Sequence, residues 1–172
     1  MLATRSYRFW IGIVALWWVV DQAVKAGVEQ SMVLYQSVPI TSFFNWVRVH
    51  NQGAAFSLLA DAGGWQRWLF LVIGVVASAW LVAMLRQHAQ HPRMAWGLSA
   101  ILGGALGNVT DRVWRGHVID YLDFHHPALA WLFGGGHFPA FNVADVGITL
   151  GACVLVLDEL QRWRQTKTHE AR

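Results

Sequence analysis

The chain has 172 residues, of which 55% are hydrophobic and only 13% are charged, and its mean hydropathy is +0.35. This composition excludes an ordinary soluble domain and predicts a polytopic membrane protein. The formal net charge of +3 comes without a dense basic cluster, so we expect no nucleic-acid partner.

The only cysteine, Cys153, lies in the last apolar run of the chain. A single cysteine excludes a disulfide framework and a thiol metal site. We expect a buried structural thiol, because apolar surroundings make a thiol unreactive.

The first apolar segment, Phe9 to Val20, follows two arginines and contains no polar side chain, which resembles a secretory signal peptide. No small-residue cleavage site follows, so we predict an uncleaved membrane helix over residues 8–28. In that helix Asp21 and Lys25 are four residues apart and can pair. Because an ion pair at the end of a membrane helix is costly to desolvate, we expect this one to shape a site.

Residues 29–67 contain no run long enough to span a membrane. Asn45 to His50 alternates in polarity as a short strand does, and Asn51-Gln52-Gly53 follows as a turn. We therefore expect a small β-structured element that rests on the membrane surface. Asn51 on its own is equally explained as a turn residue that tolerates positive φ.

The next two apolar runs predict membrane helices over residues 68–85 and 94–110. Gly103 and Gly107 in the second run form a G-x-x-x-G pair, which allows close helix approach. We expect this pair to serve internal packing, and we expect a monomer. The run ends in three polar residues, Asn108, Asp111 and Arg112.

Residues 111–140 form a second extramembrane segment with Asp120, Asp123 and several histidines, before a last predicted span over residues 141–158. Asp145 lies in that span, about 6 Å along the helix axis from its start. A carboxylate is expensive to keep in lipid, so Asp145 is a functional-site hypothesis by default. After Trp163 we expect an irregular polar tail.

Four spans place both ends of the chain on one side of the membrane. The segments on that side hold eight of the 13 basic residues: Arg5, Arg8, Arg86, Arg93, Arg162, Arg164, Lys167 and Arg172. By the positive-inside rule both termini are cytoplasmic. We therefore predict a single polytopic membrane domain over residues 1–172, in which segments 29–67 and 111–140 are extracytoplasmic.

This topology gathers the polar residues of separate segments at the outer membrane face. Nucleophilic catalysis is disfavoured, because no serine has an evident base beside it. Two aspartates brought close together can share one proton and activate water, as in aspartic proteases. Asp145 is the more secure member of such a pair, and spacing leaves Asp111, Asp120 and Asp123 open as its partner.

Other functions make different demands on the same residues. A zinc hydrolase would use His117, His125, His126 and His137, but their spacing matches no usual ligand pattern, so we expect no metal and no cofactor. A proton-coupled carrier would place polar residues at the bilayer midplane and contain internal repeats, and the sequence has neither. A non-catalytic assembly factor would tolerate alanine at either aspartate.

Five short motifs in chain order resemble the lipoprotein signal peptidase family, also called signal peptidase II, of bacterial inner-membrane aspartyl proteases. The motifs are Asp21-Gln22-x-x-Lys25, Asn51-Gln52-Gly53-Ala54-Ala55-Phe56-Ser57, Gly107-Asn108-x-x-Asp111-Arg112, Val118-Ile119-Asp120-Tyr121 and Phe141-Asn142-x-Ala144-Asp145. Any one of them alone would be a weak signal, whereas five in order between four spans are specific. The resemblance implies an all-α membrane protein of four transmembrane helices with a small extracytoplasmic β-structured cradle.

The resemblance also implies residue roles. Asp120 and Asp145 inherit the role of the catalytic dyad. Asn51, Asn108, Asp111, Arg112 and Asn142 inherit contacts to substrate or inhibitor, and Asp21, Lys25 and Gly53 inherit supporting roles. The implied substrate is a prolipoprotein whose cysteine already carries diacylglycerol, and the implied inhibitor is globomycin. Residues between Tyr121 and Phe141, including His125-His126-Pro127 and Gly134-Gly135-Gly136, depart from the family pattern and leave the shape of that loop open.

Overall fold

The computed structural model of the protein describes residues 6–53 and 63–170. In chain order the elements are α1 (Tyr7–Ser31), β1 (Ser37–Pro39), β2 (Phe44–Asn51), α2 (Gln66–His88), α3 (Pro92–Trp114), β3 (Val118–Phe124) and α4 (Val143–Glu170). Two short 3-10 turns, Pro127–Leu129 and Gly134–Gly136, separate β3 from α4. The predicted mostly helical fold with one small β-structured element is confirmed.

Each predicted span coincides with a helix that is longer than predicted at one or both ends. Within the described ranges, α1 and α2 are long and apolar enough to cross a membrane by length and composition. The helices α3 and α4 have lower mean hydropathy, because α3 is rich in small residues and α4 ends in a charged extension. The topology of four spans stays a prediction.

Two expectations for the last helix are wrong. The tail after Trp163 is helical to Glu170, and side-chain contacts one turn apart support it, such as Asp158 to Arg162 at 2.6 Å and the Lys167 ammonium 4.1 Å from the Trp163 ring centre. Cys153 is exposed rather than buried. An apolar run in a membrane helix packs with only part of its circumference, and Cys153 lies on the part that α3 does not cover.

Helix α3 is the centre of the helix packing and contacts α1, α2 and α4. Glycines make the close approaches possible, because a Cβ atom on Gly103 would lie 2.5 Å from the Cβ of Trp17 on α1. A Cβ on Gly104 would run into the backbone carbonyl of Ala144 on α4. The G-x-x-x-G pattern thus serves packing inside the chain, and it brings the start of α4 onto the end of α3.

The three strands form one antiparallel sheet in the order β1-β2-β3. The register pairs Asn51 with Val118 and Val49 with Asp120. On one face of β3, Ile119 and Tyr121 are buried against Val28 at the end of α1. Strand geometry therefore directs the alternate residue, Asp120, to the opposite face, toward the start of α4.

Candidate active site

Asp145 lies in the first turn of α4 and forms a reciprocal cap with Asn142. The Asn142 side-chain oxygen accepts the Asp145 backbone N–H at 3.0 Å, and an Asp145 carboxylate oxygen accepts the Asn142 backbone N–H at 3.2 Å. This is the capping-box arrangement with asparagine at the cap and aspartate three residues later. The positive end of the helix dipole and the N–H donor both favour an ionised carboxylate at this position.

Asp120 lies on β3, is only 2% exposed and is held by two amide groups. Asn142 Nδ2 donates to one carboxylate oxygen at 2.7 Å, and Asn51 Nδ2 donates to the other at 3.0 Å. Burial, and next the negative charge of Asp145, raise the pKa of Asp120 from 3.8 to about 7. A carboxyl group with this pKa retains a proton near neutral pH, which an acid in peptide hydrolysis needs.

Asn108 on α3 connects the dyad to the ion cluster described below. Its Nδ2 donates to Asp145 at 2.9 Å, while its Oδ1 accepts from Lys25 Nζ at 3.2 Å. Because the ammonium group can only donate, Lys25 requires the amide oxygen on its side and so turns the amide NH₂ toward Asp145. Lys25 thus acts on the dyad through the orientation of one amide.

A cavity of about 530 Å³ opens at the two aspartates. Its polar wall consists of Asn51, Asn108, Arg112, Asp120 and Asp145. The rest of the wall is mainly apolar and comes from Val118, Phe138, Pro139, Ala140, Phe141, Val146, Ile148, Thr149 and Leu150. The arrangement places an acid–base pair at one end of a pocket that suits an apolar substrate.

Arg112 joins the turn after β2 to the end of α3. Its Nη2 donates to the Gly53 carbonyl at 2.7 Å, and its guanidinium carbon lies 5.5 Å from the ring centre of Phe70 on α2. Gly53 therefore contributes a carbonyl to the site. The predicted second motif continues over residues 54–57, which lie outside the described residues.

Asp21, Lys25 and Asp111 form a separate, fully buried ion cluster. Lys25 Nζ lies 2.8 Å from Asp21 and 2.7 Å from Asp111, and all three side chains have 0% exposure. Asp111 also accepts from Arg115 Nη1 at 2.7 Å. The structure thus places Asp111, a predicted substrate-binding residue, in this cluster rather than in the cavity wall.

The three aspartates that spacing left open as partners of Asp145 are separated by their contacts. Asp111 is paired with Lys25, and Asp123 accepts from Asn45 at 2.8 Å and lies 3.0 Å from His137 Nδ1. Of the three, Asp120 lines the cavity together with Asp145. The geometry therefore selects the pair that the family resemblance implies.

Sequence reasoning missed three residues that support the site. Gln22 donates to Asp111 at 3.0 Å, Arg115 pairs with the same carboxylate, and the Tyr121 hydroxyl accepts the backbone N–H of Val143 at 3.0 Å. The spacing of four residues between Asp111 and Arg115 was a usable signal. No local pattern indicates the Tyr121 contact, because it joins β3 to α4.

The histidines of the second extramembrane segment do not converge. His117 stacks on His50 with ring centres 3.5 Å apart, whereas His125 stacks on His137 at 4.8 Å. Across residues 6–53 and 63–170, no three histidine, cysteine or acidic side chains are grouped as a metal site would require. The described side chains therefore provide an aspartate pair, not a ligand set, beside the cavity.

Comparison with known proteins gives consistent results. The family model described as signal peptidase (SPase) II matches residues 13–161. A lipoprotein signal peptidase of Ralstonia nicotianae is 48% identical over 156 residues, which cover 91% of this chain and 86% of that protein. One from Cupriavidus taiwanensis is 49% identical over 156 residues, covering 91% and 85%.

Solved structures agree with the sequence comparison. A bacterial membrane enzyme determined in meso at 2.3 Å resolution superposes with a TM-score of 0.76 at 29% identity, covering 89% of this chain and 88% of that one. A second, at 1.9 Å resolution, has a TM-score of 0.72 at 28% identity, covering 88% and 92%. The chain therefore belongs to the signal peptidase II family and is an aspartic-type protease of lipoprotein processing.

Proposed function

We propose that this enzyme removes the signal peptide from prolipoproteins whose cysteine already carries diacylglycerol, and that it cuts the bond just before that cysteine. The observation that carries the proposal is the pair Asp120 and Asp145 at one end of a largely apolar cavity. No Lys or Arg of the described residues lies within ion-pair distance of either carboxylate, and both are held by amide groups. Such a pair remains able to exchange protons.

The contacts favour distinct starting states for the two carboxyl groups. Asp145, at a helix N-terminus with amide donors, is ionised, and Asp120 holds the shared proton. Asp145 takes a proton from water as the water oxygen attacks the scissile carbonyl, while Asp120 donates its proton to the carbonyl oxygen. On collapse, Asp145 protonates the leaving amine of the cysteine, and the hydroxyl proton returns to Asp120. The titration belongs to the pair.

The apolar part of the cavity accounts for the lipidated substrate. Val146, Ile148 and Leu150 continue along α4 from Asp145 and provide a surface for acyl chains. Access from the lipid side spares those chains a passage through water, which would cost about 0.8 kcal/mol for each CH₂ group. Asn51 and Arg112, at the polar end of the same cavity, are placed to hold the substrate backbone.

The membrane arrangement follows the predicted topology. The four helices span the bacterial inner membrane with both termini in the cytoplasm, and the sheet of β1, β2 and β3 forms a cradle at the outer surface. The dyad then lies just beneath the outer face, where a lipidated cysteine is held. We further propose that the enzyme acts as a monomer surrounded by membrane lipids and that globomycin occupies the cavity.

The test is cleavage of a purified diacylglyceryl-prolipoprotein in detergent, followed by gel shift. Wild type should cut, and globomycin should block it. Asp120→Asn and Asp145→Asn should each reduce the rate by about 10³-fold, because each removes acid–base function. Asp123→Asn is the matched control, since Asp123 is an aspartate of the same strand outside the cavity, and it should retain activity.

Each contrary result points to a different error. If a folded dyad variant cuts at the wild-type rate, the catalytic pair is wrong. If the unlipidated precursor is cut as fast as the lipidated one, the substrate class is wrong. If wild type cuts neither precursor, the proton-coupled carrier becomes the better hypothesis.

A further inference from the structure

The segment between β3 and α4 includes a loop tip, residues 127–136, that is free of charge. Its sequence is Pro-Ala-Leu-Ala-Trp-Leu-Phe-Gly-Gly-Gly, with no ionisable side chain. Trp131 is 84% exposed and Leu132 is 57% exposed. This is the part of the chain that departs from the family motifs, so its chemistry is a property of this protein.

The exposure of Trp131 is imposed by an ordered backbone. Leu132 N–H donates to the Leu129 carbonyl at 3.0 Å, and Phe133 N–H donates to the same oxygen at 2.8 Å. The stem of the loop is closed by His126 N–H, which donates to the Gly136 carbonyl at 2.9 Å. Below it, Phe138 N–H donates to the Phe124 carbonyl at 2.8 Å, so the tip is fastened to β3.

Two sides of the loop tip differ in their surroundings. On the inner side, Phe133 meets Phe138 edge-on with ring centres 5.3 Å apart, and Phe138 meets Phe141 at 5.9 Å. Phe138 and Phe141 belong to the cavity wall. Trp131 and Leu132, by contrast, form an exposed apolar pair at the rim of the active-site cavity.

Other exposed tryptophans mark the same end of the helices. Trp65 and Trp68 at the start of α2 are 54% and 59% exposed, and Trp114 at the end of α3 is 72% exposed. The two helix ends lie together, because Arg67 Nε donates to the Arg112 carbonyl at 2.8 Å. Tryptophan is enriched where a membrane meets water, because the indole is apolar with one polar N–H. These side chains form an interfacial belt, and the loop tip follows directly from the same end of the bundle.

We propose that the loop tip inserts Trp131 and Leu132 into the outer lipid leaflet beside the cavity mouth. The partner is the lipid surface, which the absence of charge from residue 127 to 136 and the neighbouring tryptophan belt favour over an aqueous protein partner. The consequence for catalysis rests on the proposed function: the inserted tip holds the cavity mouth at the depth where the acyl chains of the substrate lie. Loss of the tip then weakens capture of the lipidated substrate and leaves the chemical step unchanged.

Quenching by brominated phospholipids tests the insertion directly. Leu132→Cys is made in a Cys153→Ser background, labelled with a small fluorophore and reconstituted into nanodiscs with bromine on the acyl chains. Val72→Cys, at a 59% exposed position of the apolar helix α2, is the quenched reference, and Gln165→Cys on the polar extension of α4 is the unquenched reference. We expect the label at position 132 to be quenched at least half as strongly as the label at position 72. Quenching no greater than at position 165 would overturn the proposal.

A second arrangement separates the leaflet from the substrate as the partner. With ordinary lipids and bromine only on the acyl chains of the precursor, we expect no quenching at position 132 beyond that at position 165. If quenching appears in this arrangement and not with brominated lipid, the tip binds substrate chains and the proposal is wrong.

Kinetics in nanodiscs test the consequence. The double variant Trp131→Ser/Leu132→Ser should raise KM for the lipidated precursor about tenfold at unchanged kcat, whereas Ala128→Ser should leave both constants unchanged. A wild-type KM in the double variant would remove the proposed role of the tip. Because wild type is measured beside it, failure of the proposed function appears separately, as absent cleavage by every form.

Discussion

The buried ion cluster and the catalytic cavity are built from the same residue type within one set of elements, and they differ in what contacts the carboxylates. Asp21 and Asp111 each lie within 2.8 Å of the Lys25 ammonium group. Asp120 and Asp145 contact amide and backbone N–H groups instead. A cation fixes the charge of a buried carboxylate, whereas an amide stabilises the ionised form less and leaves the proton exchangeable.

The contrast shows that the number of intramembrane carboxylates does not by itself locate the chemistry. The paired aspartates are fully covered and hold the ends of α1 and α3 together, whereas the dyad faces a cavity. One hydrogen-bond chain, Lys25 to Asn108 to Asp145, joins the two regions. Substitutions on either side of this chain should therefore separate folding from catalysis.

The largest expected effect comes from removing the cation of the cluster. Lys25→Met leaves Asp21 without a positive partner, while Asp111 retains Arg115. Breaking a buried pair from one side costs about 3–5 kcal/mol in the free energy of unfolding. Thermal unfolding in detergent should therefore shift to markedly lower temperature.

The double variant Asp21→Asn/Lys25→Met is the control for this effect. It removes the uncompensated charge and should recover a large part of the lost stability. If Lys25→Met alone unfolds at the wild-type temperature, the cluster does not hold the helices together and the comparison fails.

An intermediate effect is expected where α3 touches the cluster. A Cβ atom on Gly107 would run into the Asp21 carboxylate and lie 3.3 Å from the Cβ of Ala144. Gly107→Ala should therefore cost about 1–3 kcal/mol of stability, as overpacking usually does. Gly12→Ala on α1 is the matched control, because no atom lies within 4 Å of its added methyl group, and it should be neutral or stabilising. Equal unfolding temperatures for the two variants would contradict this packing.

The pH dependence of cleavage sharpens the difference between paired and unpaired carboxyl groups. The pKa of Asp120 is raised to about 7 by burial and by Asp145. The dyad therefore loses its shared proton as the pH rises through this value. Above it, kcat/KM should fall about tenfold for each pH unit. A rate that stays constant from pH 6 to pH 9 would contradict the role of Asp120 as the acid.

The same titration affects stability with a defined sign. Because the folded-state pKa of Asp120 is raised, its contribution to stability is fully present below its ordinary value of 3.8 and is lost as the pH rises through about 7. Asp120→Asn removes this loss, so the variant should gain stability relative to wild type between these values. Asp123→Asn should follow the wild-type curve, which unfolding measured across this pH range would show.

Much of the fold was predictable because its signals are local. The four helices, the strand β2 and the ion pair between Asp21 and Lys25 follow from apolar run length, alternation and a spacing of one helical turn. The strand β3 was not predicted, although Val118 to Phe124 alternates weakly, because glycine, histidine and aspartate surround it. Its status as a strand depends on pairing with β2, which is remote in the chain.

The sequence by itself determined that a costly carboxylate, Asp145, begins the last apolar run, because burial cost depends on the residues next to it. Only the tertiary structure decided which aspartate faces it. Asp111, Asp120 and Asp123 are alike in type and differ in their contacts with Lys25, Asn142 and His137, which lie on other elements or at the far end of a loop. The physical reason is that the proton affinity of a carboxyl group is set by the groups within a few ångströms of it, and folding, not chain order, brings those groups together.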